Sequence, residues 1–108
     1  MGTEREGLAI TSEAADDSVL VTVGGDLDAA TGPDLANMLA EAVDGRWKVV
    51  IVDMSAVRFI DSTALRTLVA VKTRADDNGT RLALRSPSEA IMRVLEATAL
   101  ASFIPIVP

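Results

Sequence analysis

Val49-Val50-Ile51-Val52 is the most restrictive segment of the chain. Consecutive β-branched residues favour a strand. A run without polar alternation reads as a strand covered on both faces, as in a parallel sheet. Parallel neighbours need crossovers of about a dozen residues or more, usually helical. Helical patterns lie on either side of this strand. Leu35, Met38, Leu39 and Ala42 recur at i, i+3, i+4, i+7. Their helix is predicted to start at Thr31, with Pro33 in the first turn and Asp34 completing a capping-box-like pattern, and to stop at Gly45. After an Asp61-Ser62 turn, Ala64, Leu65, Leu68, Val69, Val71 and Ala75 form a second apolar stripe, closed by Asp76-Asp77-Asn78-Gly79.

The flanks complete the pattern. Residues 8–11 and 19–23 read as an antiparallel hairpin turning at residues 14–18, and Gly24-Gly25 is expected to end its second strand. Arg81-Leu82-Ala83-Leu84 is a short strand. Ser86-Pro87-Ser88-Glu89 reads as a capping box with Pro at the first helical position, and Ala90, Ile91, Val94 and Leu95 form the buried face that follows. Residues 103–107, broken by Pro105, fit an edge strand or a packed tail. The order β-β-α-β-α-β-α-β predicts an α/β fold, a mixed central β-sheet with crossover helices. Functional loops then fall at the strand carboxyl ends: Gly24-Gly25-Asp26-Leu27-Asp28, and the segment from Asp53 to Ser62.

Composition narrows the chemistry. A length of 108 residues suits one domain with its own core. The chain has no cysteine and no histidine, which removes thiol chemistry, the usual general base and the commonest metal ligand. No cofactor or metal is expected. A net charge of −6 argues against direct nucleic-acid binding. No segment approaches the roughly 20 apolar residues that span a bilayer, and residues 1–7 lack the regions of a signal peptide, so a cytoplasmic location is expected.

Asp61-Ser62-Thr63-Ala64-Leu65 puts a serine at the start of a helix, where unpaired N–H groups and the helix dipole favour negative charge. Capping alone would account for Ser62 and Thr63. Asp26-Leu27-Asp28 resembles a carboxylate pair for metal or phosphoryl chemistry, but a turn of solvated acids is the simpler reading. Arg58 and Arg66 flank Ser62 and can meet a partner or balance local acids. Trp47 reads as packing, and Asp53 as a cap for the next turn.

Two motifs carry a family resemblance. Gly25-Asp26-Leu27-Asp28-Ala29-Ala30-Thr31 is similar to Gly-Glu-Leu-Asp-x-x-Thr, and Asp61-Ser62-Thr63-Ala64-Leu65 to Asp-Ser-Ser/Thr-Gly-Leu. Together, separated by a helix and a strand, they resemble the STAS domain, and most closely the stand-alone anti-sigma factor antagonists. The resemblance implies a single STAS domain over residues 1–108, not an enzyme. It implies binding to an anti-sigma factor serine kinase, release when the serine after the motif aspartate is phosphorylated, and recovery by a metal-dependent serine phosphatase. That serine is Ser62, with Thr63 the weaker candidate. The partner-binding face would comprise Asp26, Asp28, Asp61, Ser62, Thr63, Ala64 and Arg66, with Ala64 standing where many members have glycine. The free protein is expected to be a monomer. The alternative is a phosphorylation-independent STAS adaptor or scaffold subunit in a stress-signalling or membrane-transport complex.

Overall fold

A computed structural model describes residues 2–5 and 7–108, with side chains from Gly7 onward. The signal-peptide reading rests largely on side chains outside that range. Among the described residues six strands form one sheet in sequential order: β1 (Gly2–Arg5), β2 (Leu8–Ala15), β3 (Ser18–Leu27), β4 (Val49–Ile60), β5 (Arg81–Arg85) and β6 (Ile106–Val107). The β1/β2 and β2/β3 pairs are antiparallel, and β3 to β6 run parallel. Helices α1 (Gly32–Asp44), α2 (Ser62–Asp77) and α3 (Glu89–Ala97) are the crossovers, and a short α4 (Leu100–Phe103) precedes β6. The mixed sheet with crossover helices is therefore as predicted, with β1 and α4 added.

A sequential strand order with crossovers of one hand lays every crossover helix on the same face of the sheet. The core reflects this. Val19, Val21 and Val23 of β3, Val50, Val52 and Met54 of β4, and Leu82 and Leu84 of β5 are buried with Leu35, Leu39, Leu68, Ile91 and Leu95 from the helices. Val49 and Ile51 are only half-buried. The central run is thus covered fully on one face, not on both as its composition suggested. Trp47 packs against the core edge.

Several boundaries differ from the sequence reading for local physical reasons. Gly24-Gly25 does not end β3. The strand continues through two irregularities in register to Leu27, paired with a β4 that extends past Asp53 to Ile60. Burial of Leu27 and Ile60 anchors both extensions. The hairpin turn narrows to Asp16-Asp17, with Asp16 at a φ of 53°. The last crossover helix begins at Glu89, capped by the Ser88 hydroxyl accepting from the Ile91 N–H; Ser86 has a φ of 52°, so the chain at Ser86-Pro87 is not yet helical. Gly45 follows α1 as expected, its N–H donating to the Ala42 carbonyl.

Candidate functional site

The paired extensions of β3 and β4 bring the two motifs side by side. Asp26 lies opposite Phe59 and Leu27 opposite Ile60. The Asp61 N–H donates to the Leu27 carbonyl at 3.0 Å, so the chain leaves both strands at one level of the sheet. One segment leads into α1 and the other into α2.

The first segment closes on itself. Asp28 Oδ1 accepts from the N–H groups of Ala30 and Thr31 at 3.0 and 3.1 Å, an Asx-type turn. Thr31 is buried, and its hydroxyl donates to the Asp26 carbonyl at 2.8 Å and accepts from the Asp28 N–H at 3.0 Å. Thr31 precedes α1 but makes no side-chain cap, because its hydroxyl is spent on the turn before it. The expected capping box there is not formed. The two acids also serve different partners: Asp26 faces Arg58 at 3.7 Å, while Asp28 holds the turn. Their engagement with separate partners favours the structural reading of Asp-x-Asp over a converging carboxylate pair, and among the described residues no group of three acidic side chains is placed to hold a metal.

The second segment separates roles that the sequence left merged. Asp61, not Ser62, caps α2. Its Oδ1 accepts from the Thr63 and Ala64 N–H groups at 2.9 and 3.1 Å, and its backbone carbonyl accepts from Leu65. Ser62 is the first helical residue, exposed, and its hydroxyl makes no hydrogen bond to the described residues. Thr63 is half-buried and lies against the start of α1, its methyl 3.4 Å from where a Cβ on Gly32 would stand. Ala64 is fully buried. That corrects its assignment to the partner-binding face: its methyl belongs to the core, out of a partner's reach. Arg66 is exposed one turn beyond Ser62.

Phe59 is a surface residue that sequence reasoning did not single out. Val57 and Ile60 take the inward positions of β4, leaving Arg58 and Phe59 outside, with Phe59 51% exposed. An aromatic residue between an arginine and a buried isoleucine, immediately before the serine motif, was the available signal.

Replacing the cap tests this architecture. Asp61→Ala is expected to destabilise the fold by about 1–2 kcal/mol, since it frees two helix N–H groups. Ser62→Ala removes no hydrogen bond and should leave the urea midpoint nearly unchanged. Equal losses for the two would contradict the division of roles.

Asp53 lies away from these loops, within β4. Its Oδ1 accepts from the Ser55 N–H at 2.9 Å and from the Ser55 hydroxyl at 2.7 Å, with Arg85 at 4.0 Å. The Ser55 backbone and hydroxyl bonds, then Arg85, hold its carboxyl below the ordinary carboxylate range against the opposing effect of burial. A depressed folded-state pKa gives stability that is complete above the unfolded value of about 3.9 and is lost as pH falls through the folded one. Urea unfolding from pH 6 downward should therefore show a midpoint that begins to fall near pH 4. Asp53→Asn should make that fall shallower, with the remainder owed partly to Asp44, whose carboxyl is lowered chiefly by its hydrogen bond with Arg74.

A one-sided α/β sheet with sequential parallel strands, and a site made of two adjoining motifs at their carboxyl ends, defines a small STAS-type domain. The family model for the STAS domain matches residues 9–108, and the chain belongs to that family. It is 32% identical over 93 residues to an anti-sigma-B factor antagonist of Staphylococcus epidermidis, covering 86% of each chain. The crystal structure of an anti-sigma factor antagonist from Mycobacterium paratuberculosis aligns with a TM-score of 0.86 at 24% identity, over 98% of this chain and 90% of that one. The Bacillus cell fate determinant SpoIIAA in its phosphorylated form aligns with a TM-score of 0.69 at 17% identity, over 92% and 91%. Among the described residues no helix is long and apolar enough to cross a membrane.

Proposed function

We propose that this chain is an anti-sigma factor antagonist, acting as one STAS unit over residues 1–108. While Ser62 is unmodified, it binds an anti-sigma factor that is also a serine kinase, and so frees a sigma factor. Phosphorylation of Ser62 releases the kinase, and a metal-dependent serine phosphatase restores the binding form. The chain performs no catalysis of its own and exchanges partners as a cytoplasmic monomer.

The observation that carries this reading is the state of Ser62: exposed, first in its helix, and relieved of capping duty by Asp61. A hydroxyl with no structural task is free for modification. The partner-binding face then comprises Asp26, Asp28, Asp61, Ser62, Thr63, Arg66 and the exposed Phe59. A phosphoryl group adds about −1.5 to −2 charges at neutral pH. Buried in an interface shaped for a neutral hydroxyl, that charge finds no matching group on the partner and is costly to desolvate. Release therefore needs no refolding of the antagonist.

Incubation with candidate cognate kinases and ATP, followed by peptide mass spectrometry, tests the assignment. A phosphoryl group on Ser62, absent from the Ser62→Ala protein, is the expected result. Modification at Thr63 instead, or at neither residue with a kinase that binds the chain, would overturn it.

A further inference from the structure

Three of the N–H groups at the start of α2 are already committed. The Asp61 carboxylate holds those of Thr63 and Ala64, and its carbonyl holds that of Leu65. The same carboxylate opposes a second negative charge nearby. The Ser62 N–H makes no hydrogen bond to the described residues but carries no formal charge, so a phosphoryl group on Ser62 needs a side chain as its counter-ion.

Few basic side chains qualify. Arg58 is engaged with Asp26. Of the arginines and lysines among the described side chains, Arg46, Arg66 and Arg81 make no ion pair with the described residues. Arg46 follows α1 just before β4, and Arg81 opens β5, so both sit at the amino ends of parallel strands, opposite the site. Arg66 alone is local. It follows Ser62 by four residues in α2, and both are exposed. Residues at i and i+4 are neighbours on a helix surface. Helical side chains lean toward the N-terminus, which carries a residue at i+4 back over the turn that holds residue i. A guanidinium matches phosphate with paired hydrogen bonds.

We propose that Arg66 is the intramolecular counter-ion of phosphorylated Ser62. The proposal rests on the reading of Ser62 as the phosphorylation site. Its consequence is that modification alters two charges on the recognition face: it adds the phosphoryl group and withdraws Arg66 from any acidic group of the partner.

Phosphoserine inserted at position 62 during protein synthesis removes the need for a kinase. The second phosphate ionisation is then followed by phosphorus NMR in the otherwise wild-type chain and in its Arg66→Gln and Arg66→Lys forms. Asp26, Asp28, Asp61 and Arg58 lie at the same end of the sheet and are present in all three, so the comparison isolates residue 66. Arg66→Gln is expected to raise the second pKa by about 0.3 unit, and Arg66→Lys to recover most of the difference. At about 1 M salt, where the screening length falls to roughly 3 Å, the difference should close. An identical pKa with and without the guanidinium at low salt overturns the proposal. That result leaves release by phosphorylation standing, because release is read from partner binding and not from the phosphate titration.

Discussion

Ser62→Asp is expected to bind the partner kinase about a hundredfold more weakly than the wild-type chain, a loss of roughly 2–3 kcal/mol. Ser62→Ala should bind as tightly as wild type and stay bound in the presence of ATP. The asymmetry follows from the environment of residue 62. Its hydroxyl makes no hydrogen bond to the described residues, so alanine removes nothing the fold uses. A carboxylate there stands beside the Asp61 carboxylate, which has already claimed the nearest helix N–H groups. The added charge would meet no matching group on the partner's surface, and a charge that the partner leaves unpaired is among the most costly features an interface can contain. Titration calorimetry of both variants against the kinase measures the effect directly. Equal affinities for wild type and Ser62→Asp would remove electrostatic exclusion as the basis of the switch. Thermal unfolding of the free variants provides the control: Ser62→Ala should match wild type, placing its phenotype in recognition and not in folding.

The sequence made the helices and the succession of elements along the chain legible because both depend on local, periodic signals. The apolar spacing of Leu35, Met38, Leu39 and Ala42 gave α1 its inward face, and the valines of β3 and β4 marked their strands. What stayed hidden was decided by specific contacts that no periodic signal encodes, some between distant segments and some within a single turn. Gly24-Gly25 carries a local stop signal, yet β3 continues because β4 runs alongside and both end on buried apolar residues, Leu27 and Ile60. Thr31 carries a local cap signal, yet its hydroxyl is consumed by Asp26 and Asp28. Asp61 and Ser62 are both good capping residues by type, and only the geometry of the helix start assigns the cap to Asp61. The motif therefore marked the right place while leaving the division of labour within it open. Ala64 illustrates the limit in the other direction. A motif position reads as functional by its company, but the helix turns it into the core.

Gly25→Ala is expected to destabilise the domain by about 2–5 kcal/mol, against about 1–2 kcal/mol for Gly79→Ala. The two glycines share a backbone problem. Gly25 has a φ of +98° and Gly79 a φ of +72°, both in the region that L side chains rarely adopt. Their surroundings differ. A Cβ on Gly79 meets nothing within 4 Å, so alanine there costs only the backbone penalty. A Cβ on Gly25 would overlap the Gly7 carbonyl oxygen and stand 2.8 Å from the Gly7 carbonyl carbon. Both are backbone atoms, which no rotamer change can clear. The same Gly7 carbonyl accepts from the Asp26 N–H at 2.6 Å, so relief of the overlap would disturb the bond that seats Asp26. Gly25 thus holds the first motif against the strand junction and fixes the level of Asp26 at the end of β3. Urea unfolding of both variants gives the two penalties, and their difference measures the cost of close approach separately from that of the left-handed backbone. Equal penalties would mean that the β1–β2 junction yields freely at Gly7. Partner affinity of the folded Gly25→Ala protein should also fall, whereas Gly79→Ala, at the far end of α2, should bind normally.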